Sequence, residues 1–513
     1  MKEIPILVGS GQYVDRRSAN IGQSLSPADM AAEAGRLALL DATDQAAFAR
    51  TIDTLAVARL FEHSVRDKIL WPNPFGSSDN MPWSVANRLC IEPKRLLYSE
   101  VGGETPQRTV NQIAESIHHG DIRSALIVGA EALGTVRSGL KQGLSFDWNE
   151  SVVGTFEDLW PDREMASQYE ARHGITYPIQ VYALFEQARR HQNGLSSEQY
   201  RAEIGKLFSP LSKVAAQNPF SFSSIDYTPA EISTVSDDNF LICEPYCKRM
   251  VAQDGVNQGA AVVMTSTRQA KKFGIPEQHW VYLHSYSDID ELPLLERQEL
   301  SRSRAQEMAL EKVFLDSGMT VDDIDLFDLY SCFPIAVFNA CHYMGLPIDG
   351  TQKLTVTGGL PFFGGAGNNY SLHAIAEVIT SLRNSASSNA LVVSNGGYLS
   401  KHSVGLYSSN EMASWEVRSS ESNQRLLDNS ERVSVVEKAS GLAIIETYAA
   451  QYSRSKKIGG FIIGRMISNN ERFMAVADSE DEETIRQLFD KQPIGKKINV
   501  THNNAINYFR FIA

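Results

Sequence analysis

The chain has 513 residues, too many for a single hydrophobic core, so two or three domains are expected. Its 48 basic and 61 acidic residues give a net charge of −13, which disfavours nucleic acid as a partner. No apolar stretch approaches the ~18 residues that a membrane-spanning helix needs. The first residues lack the pattern of a secretory signal, so we expect a cytoplasmic protein whose five cysteines are reduced.

The first half of the chain predicts alternating strands and helices. A Ser-Pro-Ala-Asp helix start at residue 26 is followed by a buried strand at residues 52–58. Gly102 and Gly103 then open an amphipathic helix, and residues 125–128 form the next strand. A glycine pair before a helix lets a ligand approach backbone N–H groups closely. This corner is therefore a candidate wall of a binding pocket.

The second half repeats the first after an interruption at residues 139–239, which we interpret as a largely helical insertion over the pocket mouth. The repeated features are a strand at 280–284, a helix at 302–317, an Ile-Asp strand at 324–327, the glycine pair at 364–365 with its helix, and a strand at 390–393. Matching features in the same order favour a duplication that produces two similar layered α/β lobes. We expect their glycine corners to face one pocket.

The last part of the chain has a different character. Residues 411–431 are polar and predict a linker between the second lobe and the tail. The tail predicts one helical piece at 482–489 and short strands at 432–436, 442–448, 460–467, 473–477 and 497–500. Several short strands in so few residues favour a small β-barrel. The predicted domains are therefore residues 1–270, 271–410 and 432–513, with the linker between the last two.

Four stretches carry a resemblance to a known family. They are VGGETPQ at 101–107, DLYSCFP at 328–334, TGGLPFFGGAGNNYSLHA at 357–374 and SNGGYLSKH at 394–402. With the duplicated lobes, they resemble the thiolase superfamily, and above all the sterol-carrier-protein-2-type thiolases and the thiolase-like proteins of type 1. The resemblance covers about residues 3–410. It implies an α/β protein with a duplicated five-layer α-β-α-β-α fold and a helical loop insertion, and the tail resembles the additional OB-like barrel of the type 1 proteins.

The resemblance also implies chemistry, because thiolases transfer acyl groups between coenzyme A thioesters. In that family a cysteine at the first glycine helix takes the acyl group, a histidine at the second activates it, and another cysteine moves protons. Here the resemblance places Gly103, Gly365 and Ser394 at the nucleophile, histidine and C-terminal cysteine positions. Glycine cannot hold an acyl group. The ordinary two-step mechanism therefore lacks its nucleophile and its base.

Two residues remain as catalytic candidates. Cys332 matches a cysteine of the family and is interpreted as an acid/base thiol or a relocated nucleophile, or equally as a small buried apolar residue. His373 supplies an imidazole to the pocket, unless it is simply packed against the sheet. Glu104 suits the helix dipole and needs no catalytic role, although its charge stands where a thiolate would lie. The residues predicted to contact the thioester are Gly103, Tyr330, Ser331, Gly364, Gly365, Asn368, Ser394 and Gly396.

Two functions follow. The favoured one is a thiolase-like acyl-CoA acyltransferase or lyase that transfers the acyl group directly, with no covalently bound cofactor. The alternative is a non-catalytic acyl-CoA-binding or scaffold protein whose barrel docks a protein partner. Cys243 and Cys247 have no partnering cluster, so no metal site is expected. Both a monomer and a homodimer are compatible with the sequence.

Overall fold

Strands and helices alternate through most of the chain in the computed structural model, which describes residues 3–16, 23–65, 73–160, 164–478, 480–489 and 492–512. The strands are β1 (Pro5–Val14), β2 (Ile52–Val57), β3 (Arg95–Tyr98), β4 (Ser124–Glu131), β5 (Glu157–Asp158), β6 (Leu241–Cys243), β7 (Tyr246–Cys247), β8 (Gln258–Ser266), β9 (Val281–Asp290), β10 (Leu326–Leu329), β11 (Asn389–Gly396), β12 (Lys401–Ser408), β13 (Gly441–Ser453), β14 (Lys456–Met466), β15 (Arg472–Ala477), β16 (Lys497–Asn503) and β17 (Ile506–Phe511). 

The α-helices follow the same order along the chain. They are α1 (Pro27–Ala42), α2 (Ala46–Ala49), α3 (Met81–Leu89), α4 (Thr105–His119), α5 (Leu133–Gln142), α6 (Gln168–Arg172), α7 (Pro178–Gln192), α8 (Ser197–Gln217), α9 (Pro229–Ser233), α10 (Thr267–Lys272), α11 (Arg304–Ser317), α12 (Pro334–Met344), α13 (Tyr370–Asn384), α14 (Glu421–Asp428) and α15 (Glu482–Leu488). None of the helices in these ranges is long and apolar enough to cross a membrane.

The predicted duplication is visible in one ten-stranded sheet, in the order β10-β11-β12-β9-β1-β8-β4-β2-β3-β5. From the centre outwards, β8 runs antiparallel to both β1 and β4, and β2 runs parallel to β4. The other half repeats this arrangement with β9, β12, β11 and β10. The halves join through two residue pairs, Ile6 with Tyr282 and Leu7 with Val281.

The helices form layers on both faces of these half-sheets. Helices α4 and α13 pack in the middle, where Val110 and Ile113 share one core with Ile375, Ile379 and side chains of both half-sheets. Helices α1 and α3 cover the outer face of the first half, and α11 and α12 cover the outer face of the second. The result is the predicted five-layer α-β-α-β-α fold, with the two glycine-led helices back to back at its centre.

Between β5 and β8, the residues that the structure describes form four α-helices and one hairpin. Helices α6–α9 pack on the second half through the same core as α11 and α12. The hairpin β6–β7 leaves this segment and pairs with the C-terminal sheet, where Cys243 lies opposite Gln451. The insertion therefore connects the body, formed by the ten-stranded sheet and the helices packed on it, to the tail.

The tail is a closed five-stranded barrel, as the resemblance implied. Its strands follow the order β14-β15-β17-β16-β13, and β13 closes on β14. Helix α15 lies between β15 and β16. Two predicted details were wrong: residues 432–436 form only a single bridge, from Val435 to Arg472, and the last barrel strand β17 was not predicted. The predicted linker contains helix α14.

Candidate functional site

The two glycine turns meet where α4 and α13 begin. The N–H of Gly102 donates to Asn368 Oδ1 at 3.1 Å, and the Ser371 hydroxyl donates to the Gly103 carbonyl. Gly102 has a φ of 146°, which requires glycine. Asn368 also donates to the Arg59 carbonyl at 2.9 Å. The structure therefore brings together the two corners that the sequence analysis expected to face one pocket.

Position 103 is closed by a side chain from the second lobe. A Cβ atom at Gly103 would overlap the hydroxyl oxygen of Tyr330, with the ring carbon Cζ at 2.5 Å and the Asn395 carbonyl oxygen at 2.8 Å. Both Gly103 and Tyr330 are buried. Burial also raises the pKa of the Tyr330 hydroxyl, so this group is protonated at neutral pH. A phenol hydroxyl thus stands where a nucleophilic side chain would begin.

Glu104, which was explained from the sequence by the helix dipole, follows Gly103 directly and is close enough for its charge to act on the Tyr330 hydroxyl. It is 0 % exposed, and it occupies the N-cap position of α4 without making a side-chain cap hydrogen bond. Within the described residues, neither carboxylate oxygen has a hydrogen-bond partner. The nearest cation is Lys401, whose Nζ lies 3.9 Å from Oε1.

Charged neighbours surround Glu104 at longer range. Lys401 donates to Glu100 Oε2 at 3.2 Å, and Arg108 donates to Asp290. Burial raises the pKa of Glu104 to about 7, although Lys401 and Arg108 oppose that rise. Glu104 therefore changes its charge near neutral pH, which an exposed glutamate does not do.

Cys332 lies on the loop between β10 and α12, beside β11. Its Sγ accepts a hydrogen bond from Asn395 Nδ2 at 3.5 Å, and its carbonyl accepts from the Ala252 N–H at 3.0 Å. Burial raises the pKa of the thiol to about 12, so almost no thiolate is present at pH 7. The acid/base or nucleophilic role of Cys332 stays a prediction, and in this environment the thiol is a weak hydrogen-bonding group.

We expect native protein to be alkylated by iodoacetamide at Cys90 and not at Cys332. Cys90 is exposed, whereas the other four cysteines are buried and the thiol of Cys332 is protonated. Because the thiolate is the reactive species, Cys332 should react only after denaturation. Peptide mass spectrometry after a short treatment at pH 8 measures this difference. Fast labelling of Cys332 in the folded protein would contradict the buried environment.

His373 lies inside the core rather than at a charged cavity. Its Nδ1 is 2.7 Å from Gln12 Oε1, and Phe363 packs edge-on against the ring at a centroid distance of 5.2 Å. The ring is fully buried, and this burial lowers the pKa to about 3. His373 is therefore neutral at physiological pH. Its catalytic role stays a prediction. Gln12, which contacts the ring, also donates to Glu377 Oε1 at 2.8 Å, so an amide separates the imidazole from this acid.

The remaining predicted residues lie in two neighbouring groups. Ser331 Oγ accepts from the Leu360 N–H at 3.1 Å, and the Gly365 N–H donates to the Gln253 carbonyl at 2.7 Å. Next to Gln253, Ala252 lies 3.3 Å from where a Cβ of Gly365 would stand and also bonds Cys332. Gly364, Ser394 and Gly396 are buried on the adjoining turn and strand. Among the described residues, no cluster of three or more His, Cys, Asp or Glu side chains could hold a metal ion.

Comparisons with known proteins agree with this architecture. The profile described as "Thiolase-like protein type 1 additional C-terminal domain" matches residues 423–505. A monomeric SCP2-thiolase-like protein type 1 from Mycobacterium smegmatis is 36% identical, with 99% of each chain covered and a TM-score of 0.84. No curated protein matches.

Two more distant structures share the fold alone. An Ltp2–ChsH2(DUF35) aldolase is 18% identical, covers 79% of this chain and 97% of its own, and has a TM-score of 0.59. Human mitochondrial 3-ketoacyl-CoA thiolase in complex with CoA is 13% identical, covers 79% and 98%, and has a TM-score of 0.51.

Proposed function

Since the chain belongs to the SCP2-thiolase-like proteins of type 1, we propose that it binds acyl-CoA thioesters and acts on them as a transferase or lyase without forming an acyl-enzyme. One observation carries this proposal: the Tyr330 hydroxyl occupies the space in which a side chain at position 103 would begin. A thioester at this corner would meet a hydrogen-bond donor instead of a thiolate.

Backbone groups at the corner support a role for the thioester oxygen. No acceptor for the Gly103 N–H is found in the described part of the chain, and this residue precedes the N-terminus of α4. A free N–H beside a helix N-terminus stabilises negative charge on a carbonyl oxygen. The CoA complex of the human thiolase supports coenzyme A as the ligand class. We also propose a monomer, the state given for the relative from M. smegmatis.

The second candidate is a non-catalytic acyl-CoA-binding or scaffold protein. This candidate is favoured by the protonation states of the two predicted catalytic side chains. At pH 7 the Cys332 thiol is protonated and therefore a poor nucleophile, and the His373 imidazole is a very weak base because its pKa is about 3. In that case the barrel, joined to the body through β6, is the part available to a protein partner.

We expect acetyl-CoA to bind without acylating the protein. Isothermal titration calorimetry with acetyl-CoA and butyryl-CoA measures binding, and intact-mass spectrometry after incubation measures acylation. An unchanged mass together with binding agrees with the proposal, because Gly103 offers no nucleophile. An acetyl adduct removed by free CoA would contradict it. Cys332→Ala should leave both results unchanged if the thiol is only a packed group.

The two candidates differ in turnover. Release of free CoA from the thioester, or exchange of its hydrogens at carbon α, identifies an enzyme. Binding that produces neither, across several chain lengths, identifies the non-catalytic alternative. If calorimetry detects no binding of any thioester, both candidate functions are excluded.

A further inference from the structure

We propose that Glu104 is the catalytic base of this site and that it moves the proton on carbon α of a bound CoA thioester. This inference rests on the proposed function, since it needs the thioester to bind at the glycine corner. It assigns a chemical task to a carboxyl that the sequence had explained by the helix dipole alone.

The Glu104 side chain lies at the glycine corner itself. The Glu104 side chain curls back over the glycine pair, so that a Cβ at Gly102 or at Gly396 would overlap its Oε2. The same Cβ position at Gly396 lies 3.1 Å from the Gly103 nitrogen. The Glu104 carboxyl and the Gly103 N–H therefore lie next to each other. Glycine at positions 102 and 396 is what leaves room for the carboxyl there.

The Glu104 carboxyl has no hydrogen-bond partner among the described residues. A buried carboxylate without hydrogen bonds costs several kcal/mol of desolvation and is rarely retained for stability. Glu104 is fully buried, makes no cap hydrogen bond, and has no hydrogen-bond partner among the described residues. Lys401 Nζ forms only a long ion pair with Glu104, at 3.9 Å, and donates its shorter hydrogen bond to Glu100 Oε2 at 3.2 Å. Neither oxygen is therefore committed to a hydrogen bond within the described residues.

The neighbouring side chains are poorer candidates for a base at neutral pH. The Cys332 thiol and the Tyr330 phenol are both protonated at neutral pH, because burial raises their pKa values. His373 is neutral and bound to Gln12. Glu104, with a pKa of about 7, is the group of these four that gains and loses a proton near neutral pH.

The step balances without a co-reactant. The Glu104 carboxylate takes the proton from carbon α, and the electron pair of that C–H bond forms the carbon–carbon double bond of an enolate. The carbonyl electrons move onto the thioester oxygen, which accepts the Gly103 N–H. Glu104 is then neutral, so it does not repel the enolate. Return of the proton restores the thioester.

The test is hydrogen exchange in D₂O with butyryl-CoA as the probe, followed by mass spectrometry. A protonated Glu104 exchanges with solvent, so wild-type protein should introduce deuterium at carbon α. Glu104→Gln should lower the exchange rate by about 100-fold or more, the usual contribution of a general base. Glu115→Gln, which replaces an acid on the same helix that accepts a hydrogen bond from Tyr286, should keep a rate close to wild type. Thermal melting verifies that each variant is folded.

The pH profile provides a second measurement that does not depend on the Gln variant folding. The charged and titratable groups around Glu104 are Lys401 with its partner Glu100, Arg108 with its partners Asp288 and Asp290, and Tyr330. The wild-type exchange rate should rise with pH through about 7 and then level, as the carboxylate forms. Glu104→Asp, which keeps a carboxylate, should keep this rise at a lower rate.

The outcomes separate the two proposals. Binding of butyryl-CoA with no exchange, or exchange at the wild-type rate in Glu104→Gln, overturns the role of Glu104 and leaves thioester binding intact. A rate that does not change with pH also overturns it. No binding of butyryl-CoA in calorimetry overturns the proposed function and this inference with it.

Discussion

Arg472→Ala is expected to lower the free energy of unfolding by about 3 kcal/mol, the lower end of the cost of removing one partner of a buried ion pair, because its partner Glu446 is 26 % exposed. Arg472 is 0 % exposed and lies on barrel strand β15. Its Nε donates to Glu446 Oε2 at 2.9 Å, and its Nη1 donates to the Leu295 carbonyl at 3.0 Å and to the Arg297 carbonyl. One side chain thus joins the barrel to the thiolase-like body.

Chemical denaturation measures this change, with Arg510→Ala as the matched control. Arg510 also pairs with an acid of the barrel, Asp478 at 2.6 Å, but it is 57 % exposed. An exposed pair contributes about 0–1 kcal/mol. Because Arg472 contacts carbonyls of the body, its loss should also weaken the docking of the barrel, although a shared apolar core still holds the two parts together. Equal effects of the two variants would contradict a docking role for Arg472.

The Arg472 effect should also depend on pH. Although burial pushes in the other direction, the bonds to Arg472 and Arg465 hold the pKa of Glu446 below its ordinary 4.5. A carboxyl with a lowered pKa in the folded state stabilises the protein above its unfolded pKa and loses this contribution as the pH falls. The difference between wild type and Arg472→Ala should therefore shrink below about pH 4.5.

The sequence was sufficient for the fold because each half carries local signals of its own. A glycine pair, an amphipathic helix and a buried strand recur in order, and the structure places α4 and α13 back to back as duplication requires. The barrel was predicted from short alternating strands. Strand β17 was missed because its alternation of half-buried residues is weak, and its pairing partners β15 and β16 are known only from the closed barrel.

The site was less predictable because its decisive contacts join the two halves. The resemblance located Gly103 and Tyr330 separately. That the Tyr330 hydroxyl fills the space beside Gly103 depends on how the two lobes pack together. For Glu104, the feature in the sequence that could have indicated a site residue was an acid directly after a glycine pair. Its burial and its lack of a cap hydrogen bond are properties of the folded chain. His373 shows the reverse case, where a promising side chain is held by Gln12 in the core.

Gly103→Ala is expected to destabilise the protein by roughly 1–3 kcal/mol, the usual range for overpacking a filled core. The new methyl group would overlap the Tyr330 hydroxyl and lie 2.8 Å from the Asn395 carbonyl oxygen, a backbone atom that cannot rotate away. Gly365→Ala is the matched control at the corresponding corner of the second lobe. There the nearest atom is Ala252 Cβ at 3.3 Å, so the expected loss is small.

A double-mutant cycle assigns this cost to the Tyr330 contact. Tyr330→Ala removes the ring and leaves a cavity, which costs about 3–5 kcal/mol by itself. In Gly103→Ala/Tyr330→Ala the methyl group enters that cavity, so the two losses should sum to more than the measured total, by about 0.5–3 kcal/mol. Denaturant titration of the four proteins gives this coupling. Additive losses would mean that the clash with the Asn395 carbonyl, and not the contact with Tyr330, causes the cost of Gly103→Ala.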